Sequence, residues 1–184
     1  LEQLLLSQNK KVGLYTSPHL VDTTERLRVN DRDIAPEDFV ALCTEYEPLI
    51  EKWNLSHFES LTLFAADLFF KKSPVDFAIF EIGLGGTWDA TNAVPHATSL
   101  VTSIGYDHMH ILGHRLEEIA ANKFGIIQKN NRVLSFKYAP AIQALLDQRI
   151  HEMAAHAVDV PLAEFRIEKT AALPVYILGT PWGE

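Results

Sequence analysis

Apolar and polar positions alternate between two periods along the chain, and that alternation lays out the elements. Leu1–Gln8 has the leucine cluster of a helix end, and Lys11–Tyr15 (KVGLY) reads as a short strand. Thr16–Asp33 is polar and predicts a long loop, a length that in compact domains usually serves function. Ala35-Pro36-Glu37-Asp38 starts a helix, with Pro at the first helical position and acids at the positive end of the dipole. That helix runs to Trp53, and Pro48 is expected to kink or break it. Phe58–Lys72 is apolar nearly all round and predicts a buried helix. Asp76–Ile82 (DFAIFEI) reads as a strand buried on both faces.

A glycine-rich loop over Gly83–His96 leads to a β-branched strand, Thr98–Ile104. Arg115–Ile127 has helical spacing, with Gly125 marking its end. A strand at Arg132–Phe136 and a helix at Pro140–Ala155 follow, and the weaker runs Ala163–Ile167 and Val175–Leu178 suit strands. Strand, helix, strand, helix order predicts an α/β fold: a mostly parallel sheet with flanking helices. Ligands in such sheets bind beyond the carboxyl ends of the strands. Three polar clusters occupy that position here.

Composition narrows the classes. The 184 residues suit one domain or most of one, and 47% hydrophobic content excludes disorder as the main state. The formal net charge of −8 argues against nucleic acid as a partner, since no basic surplus exists to neutralise phosphates. One cysteine, Cys43, excludes an internal disulfide and a thiolate zinc site, and fits a reducing cytoplasm. No apolar run is long enough to span a membrane, and the N-terminus lacks the basic segment of a signal peptide. The first residue is Leu rather than Met, which points to a fragment or to residues before Leu1.

The first cluster, Tyr15-Thr16-Ser17-Pro18-His19, offers the Ser17 hydroxyl to a metal or phosphate, or is simply a Ser-Pro turn. The second, Glu81-Ile82-Gly83-Leu84-Gly85-Gly86, puts a carboxylate at the end of an apolar strand. Such a charge must be solvated, paired or bound to a metal. The glycine spacing is not the dinucleotide fingerprint, so a nicotinamide cofactor is not expected. The third, Asp107-His108-Met109-His110, suits a divalent ion or a polar turn. Lys123 lies in an apolar part of its helix. An amine in such surroundings loses its proton more readily. The neutral amine can take up carbon dioxide to form a carbamate, an anionic metal ligand. The competing reading is a surface lysine with a buried stem.

The segments TSPHLVDTTERLRVN, EIGLGGTWDATNAV, TSIGYDHMHILGHRLEEIA and NKFGII, in this order, resemble the folylpolyglutamate synthase and dihydrofolate synthase family of the Mur-ligase group. The resemblance covers roughly Val12–Ile127. It implies a Mur-ligase central domain, P-loop NTPase-like, whose N-terminal phosphate loop would precede Leu1 and whose C-terminal domain is absent. On that view residues 1–184 are part of the ATP-hydrolysing domain.

The implied chemistry is ATP-dependent addition of L-glutamate to the carboxylate of a folate or dihydropteroate through an acyl phosphate. The parent would be cytoplasmic and monomeric, and the segment alone is expected not to turn over. Ser17, Glu81 and His108 match the family's magnesium ligands, and Lys123 matches its carbamylated lysine at a second metal. His108 and Lys123 are thereby the candidate catalytic pair. His57, Phe58 and Glu59, with Trp88, Asp89 and Ala90, match the segments beside the pterin ring. The loop Thr23–Asn30 would adjoin the substrate, with Arg26 and Arg28 available to anions.

The chain departs from the family's pattern at Thr87 and Trp88, where Arg and Leu are usual, and at Asn122 and Phe124, where Glu and Ala are usual. The missing N-terminal sequence and the Thr87-Trp88 change motivate one alternative, a truncated or degenerate remnant without catalysis. A related alternative keeps the ligase chemistry with another acceptor, as in other Mur-type ligases.

Overall fold

The computed structural model describes residues 1–158 and the backbone of two later strands, 164–169 and 174–179. After helix α1 (Glu2–Ser7), strand β1 (Val12–Tyr15) forms the centre of a four-stranded sheet. It pairs in parallel with β4 (Phe77–Phe80), matching Val12 to Phe77 and Tyr15 to Phe80. On its other side it pairs antiparallel with β2 (Leu27–Val29), which pairs in turn with β3 (Arg32–Asp33).

The segment expected to be one loop, Thr16–Asp33, thus returns as a hairpin. Leu27 and Val29 alternate with Arg26, Arg28 and Asn30, so the period of two is carried by only two apolar residues. Its turn residues, Asn30 and Asp31, both have positive φ, the type I′ geometry that suits a two-residue connection. β4 is half-buried rather than buried on both faces, because it lies at the edge of this sheet.

Helix α2 (Pro36–Trp53) passes through Pro48 without a break. Proline removes one N–H and frees the carbonyl four residues earlier. Pro48 and Thr44 both lie on the exposed side of α2, which leaves that carbonyl open to solvent. Helix α3 (His57–Asp67) starts with a capping box. Ser56 accepts the Glu59 N–H, and Glu59 accepts the Ser56 N–H. It continues into a π-helical turn over Leu68–Lys72. Leu42, Leu61, Phe64 and Phe69 from these helices close a core over the fully buried Tyr15 and Leu27.

The second part is a parallel sheet of β5 (Thr98–Val101), β6 (Arg132–Ser135) and β7 (His156–Ala157). Between β5 and β6 lie the short α4 (Met109–Leu112) and α5 (Leu116–Phe124), and between β6 and β7 lies α6 (Pro140–Glu152). Ala120, Phe124, Ile127, Val133 and Leu146 form its core. A buried polar network supports the base of the sheet. Ser99 Oγ and the Gln128 N–H both donate to Asn131 Oδ1 at 2.7 Å, and Asn131 Nδ2 donates to the His96 carbonyl. β8 (Glu164–Lys169) and β9 (Pro174–Gly179) pair as an antiparallel hairpin, as the two weak apolar runs suggest. Among the described residues no helix is long and apolar enough to cross a membrane.

Candidate active site

Parallel pairing of β1 with β4 brings their carboxyl ends side by side. The Glu81 N–H donates to the Tyr15 carbonyl at 2.9 Å, extending the ladder by one residue. The Ser17 N–H then donates to Glu81 Oε2 at 3.0 Å. Two predicted ligands, 64 positions apart, therefore meet at one strand end. Glu81 is exposed, so its charge is solvated. Its other oxygen accepts no hydrogen bond among the described residues, which leaves an open carboxylate beside the Ser17 backbone.

The loop after Ser17 is held by its own side chains. Glu25 accepts the N–H groups of Leu20, Asp22 and Val21 at 2.7–2.8 Å. Those three backbone donors hold its carboxyl below the usual carboxylate range. Leu20 and Val21 project into solvent, 93% and 90% exposed. Arg26 Nε donates to His19 Nδ1 at 2.9 Å. Arg28 is engaged by Glu2, Asp31 and Asp33, so it locks the hairpin rather than standing free for an anion.

Beyond Glu81 the glycine loop is shaped from both sides. Asp89 Oδ2 accepts the N–H groups of Gly83 and Leu84 at 3.0 and 2.9 Å. Its Oδ1 accepts both the N–H and the hydroxyl of Thr91. These four bonds fill the acceptor capacity of a carboxylate. Asp89 therefore holds the loop, whatever else its position contributes. Gly85 has φ +71, and a side chain there would run into Asn122 and Leu112. A Cβ on Gly86 would lie 2.7 Å from the Lys123 carbonyl oxygen. The Thr87 N–H and hydroxyl both donate to the Asn122 carbonyl at 3.0 Å. The loop is thus bonded to the last turn of α5.

His108 precedes α4 in a left-handed conformation, φ 46 and ψ 38, which few non-glycine residues adopt. Asp107 Oδ1 accepts the His108 N–H at 2.8 Å, and Asp107 Oδ2 lies 3.6 Å from the His108 ring nitrogen Nε2. The ring is exposed. Lys123 is half-buried in the last turn of α5. Among the described residues no hydrogen bond or ion pair joins the His108 ring or the Lys123 ammonium to Ser17 or Glu81. The backbone nonetheless brings their elements to the same loop: α4 reaches Gly85 through Leu112, and α5 reaches Gly86 at Lys123.

Next to the glycine loop lies a depression of about 300 Å³. Phe58 and Glu59 from α3 form one wall, and Trp88, Asp89 and Ala90 another. Five of the six residues expected at a substrate ring thus share one surface. His57 lies outside the lining, exposed at the first position of α3. A third wall, from Ile111, Leu112 and Asn122, is absent from the sequence-based expectation. DHMHIL reads as a polar turn, and only the apolar Ile111-Leu112 pair before Gly113 signals the short helix α4.

No family model matches the chain. It is 37% identical over 164 residues to the dihydrofolate synthase/folylpolyglutamate synthase of Bacillus subtilis, covering 85% of this chain and 37% of that protein. Against the protein of the same name from Escherichia coli it is 42% identical over 128 residues, covering 70% and 30%. The folylpolyglutamate synthase of Mycobacterium tuberculosis, complexed with ADP and AMPPCP, superposes with a TM-score of 0.83 at 30% identity, covering 96% of this chain and 43% of that one. The chain belongs to the folylpolyglutamate synthase/dihydrofolate synthase family. It spans about a third of the length of these two curated relatives.

Within this family member the unusual residues have defined structural places. Thr87 bonds the glycine loop to α5. Phe124 fills the second core, its ring 5.9 Å from that of Tyr138. Trp88 stands on the rim of the depression, 90% exposed, an unusual position for so large an apolar side chain in the absence of a partner.

Proposed function

We propose that this chain supplies the metal-binding loops and the acceptor pocket of an ATP-dependent ligase that adds glutamate to a folate or dihydropteroate carboxylate. The observation that carries the reading is the Ser17–Glu81 contact at the ends of β1 and β4, with a pocket opening off the same loop. Leu84 of the pocket follows Glu81 by three positions, Ile111 follows His108 by three, and Asn122 precedes Lys123. Acceptor and metal ligands thus hang on the same three segments. The names of the relatives and the nucleotides in the mycobacterial complex support ATP and a folate-type acceptor.

The donor set fits magnesium. Hydroxyl and carboxylate oxygens are hard ligands, and a solvent-facing set of three leaves positions for water and phosphate. Ser17, Glu81 and His108 would hold the ion, with the Asp107 carboxylate 3.6 Å from the imidazole Nε2. Bound there, the ion would neutralise charge on the ATP phosphates. A carbamate on Lys123 would serve a second ion.

The protein's own residues do the positioning. Phe58, Leu84 and Trp88 offer apolar surface to a flat ring, and Asp89 fixes the loop that carries Leu84 and Trp88. The acceptor carboxylate attacks the γ-phosphorus of ATP, expelling ADP and forming an acyl phosphate. The glutamate amine then adds to the acyl carbon, and phosphate leaves from the tetrahedral intermediate. Holding the reactants in line supplies much of the rate.

Full-length ligase carrying this chain, given ATP, magnesium and glutamate, is expected to release phosphate only when dihydropteroate or a reduced folate is also present. Release with a peptidoglycan-precursor acceptor instead would assign the chain to another Mur-type ligase. Absence of release with every acceptor would favour the non-catalytic remnant.

A further inference from the structure

The depression contains one polar side chain that the protein leaves uncommitted. Glu59 is bonded into the capping box through Oε2, and Ser56 Oγ accepts within the same box. The Asp89 carboxylate carries four bonds. Asn122 differs. Its backbone carbonyl takes the two Thr87 donors, but its carboxamide makes no hydrogen bond among the described residues. That side chain is nonetheless half-buried and lines the depression. It packs closely on the glycine loop, since a Cβ on Gly85 would lie 2.5 Å from Asn122 Oδ1.

The Asn122 carboxamide carries two donor hydrogens and an acceptor oxygen, which a ligand in the depression can meet in place of solvent. Phe58, Leu84, Ile111, Leu112 and Trp88 surround it with apolar surface, and the polar side chains of the same lining, Ser56, Glu59 and Asp89, already hold hydrogen bonds elsewhere. The volume of about 300 Å³ is at the small end of ligand pockets and suits a ring system rather than a long substrate. We infer that Asn122 reads the hydrogen-bonding edge of the acceptor's ring. A flat heteroaromatic with a lactam edge, carbonyl beside N–H, meets the carboxamide donor to acceptor and acceptor to donor while its faces pack on the apolar walls. This rests on the ligase reading above and adds a specificity-determining residue to it. Asp at this position could only accept, so the identity of the amide matters and not merely its size.

The test uses the full-length ligase with dihydropteroate as the varied substrate. Asn122→Ala is expected to raise KM for dihydropteroate about tenfold, the loss of one or two hydrogen bonds, with KM for ATP within about twofold of the parent. Asn122→Asp, nearly isosteric, is expected to do the same, because it loses both donors. The ring-only competitor 6-hydroxymethylpterin should weaken by the same factor in both variants. The ring-free competitor p-aminobenzoylglutamate should be unaffected. Unchanged KM for dihydropteroate in both variants overturns the inference. So does a parallel rise in both KM values, which would mark a general disturbance of α5. A parent enzyme that accepts no folate-type substrate overturns the ligase reading itself, and this inference with it.

Discussion

Replacing Glu81 with Gln is expected to lower turnover of the full-length ligase on the order of 10³-fold while leaving its fold intact. Glu81 is exposed and accepts one hydrogen bond, from the Ser17 N–H, which an amide oxygen can still accept. The stability cost is therefore that of a surface change, within about 0.5 kcal/mol. The charge is what is lost. A cation that neutralises phosphate in the transition state contributes several kcal/mol, and each 1.36 kcal/mol is about tenfold in rate. Steady-state turnover beside a thermal melt separates the two effects. Turnover within tenfold of the parent, at normal stability, would remove Glu81 from the catalytic machinery.

Asp89→Ala is expected to cost stability instead, about 3 kcal/mol, and to open the acceptor pocket. Four hydrogen bonds converge on this carboxylate, two of them from backbone N–H groups of the glycine loop. Hydrogen bonds to a charged group contribute about 1.5–3 kcal/mol each when measured singly, and the freed N–H groups recover part of that from water. Asp89→Asn should fall between, since the amide keeps one acceptor oxygen and presents a donor to N–H groups on its other side. Denaturant unfolding measures both. A loss of under about 0.5 kcal/mol for Asp89→Ala would mean that Asp89 is free to serve the substrate and does not hold the loop.

Features carried by strong local chemistry were readable from the sequence. β1, β5 and β6 come from dense apolar or β-branched runs, α2 starts where Pro36 and two acids stand, and α5 ends at Gly125. The meeting of Ser17 with Glu81 follows from the rule that parallel strands present their carboxyl ends together. Features set by tertiary context were not. β2 and β3 are too short and too charged to show a period. Pro48 survives mid-helix because the freed carbonyl lies open to solvent, which depends on the side of α2 that faces out. The wall formed by Ile111, Leu112 and Asn122 is built by close approach to Gly85, a contact between segments far apart in sequence. His57 lies outside the pocket because the first position of α3 points it to solvent, away from the lining that half-buried Phe58 and the rim residue Glu59 share.

The convergence of Ser17, Glu81 and His108 on one divalent cation is tested most directly by a high-resolution crystal structure of the full-length ligase with magnesium and a non-hydrolysable ATP analogue. The account predicts one magnesium ion at about 2.0–2.1 Å from the Ser17 hydroxyl and a Glu81 oxygen. The His108 ring should ligate the same ion, and phosphate oxygens should complete its shell. A magnesium ion bound to the nucleotide and water alone, with the His108 ring outside its coordination sphere, would contradict it.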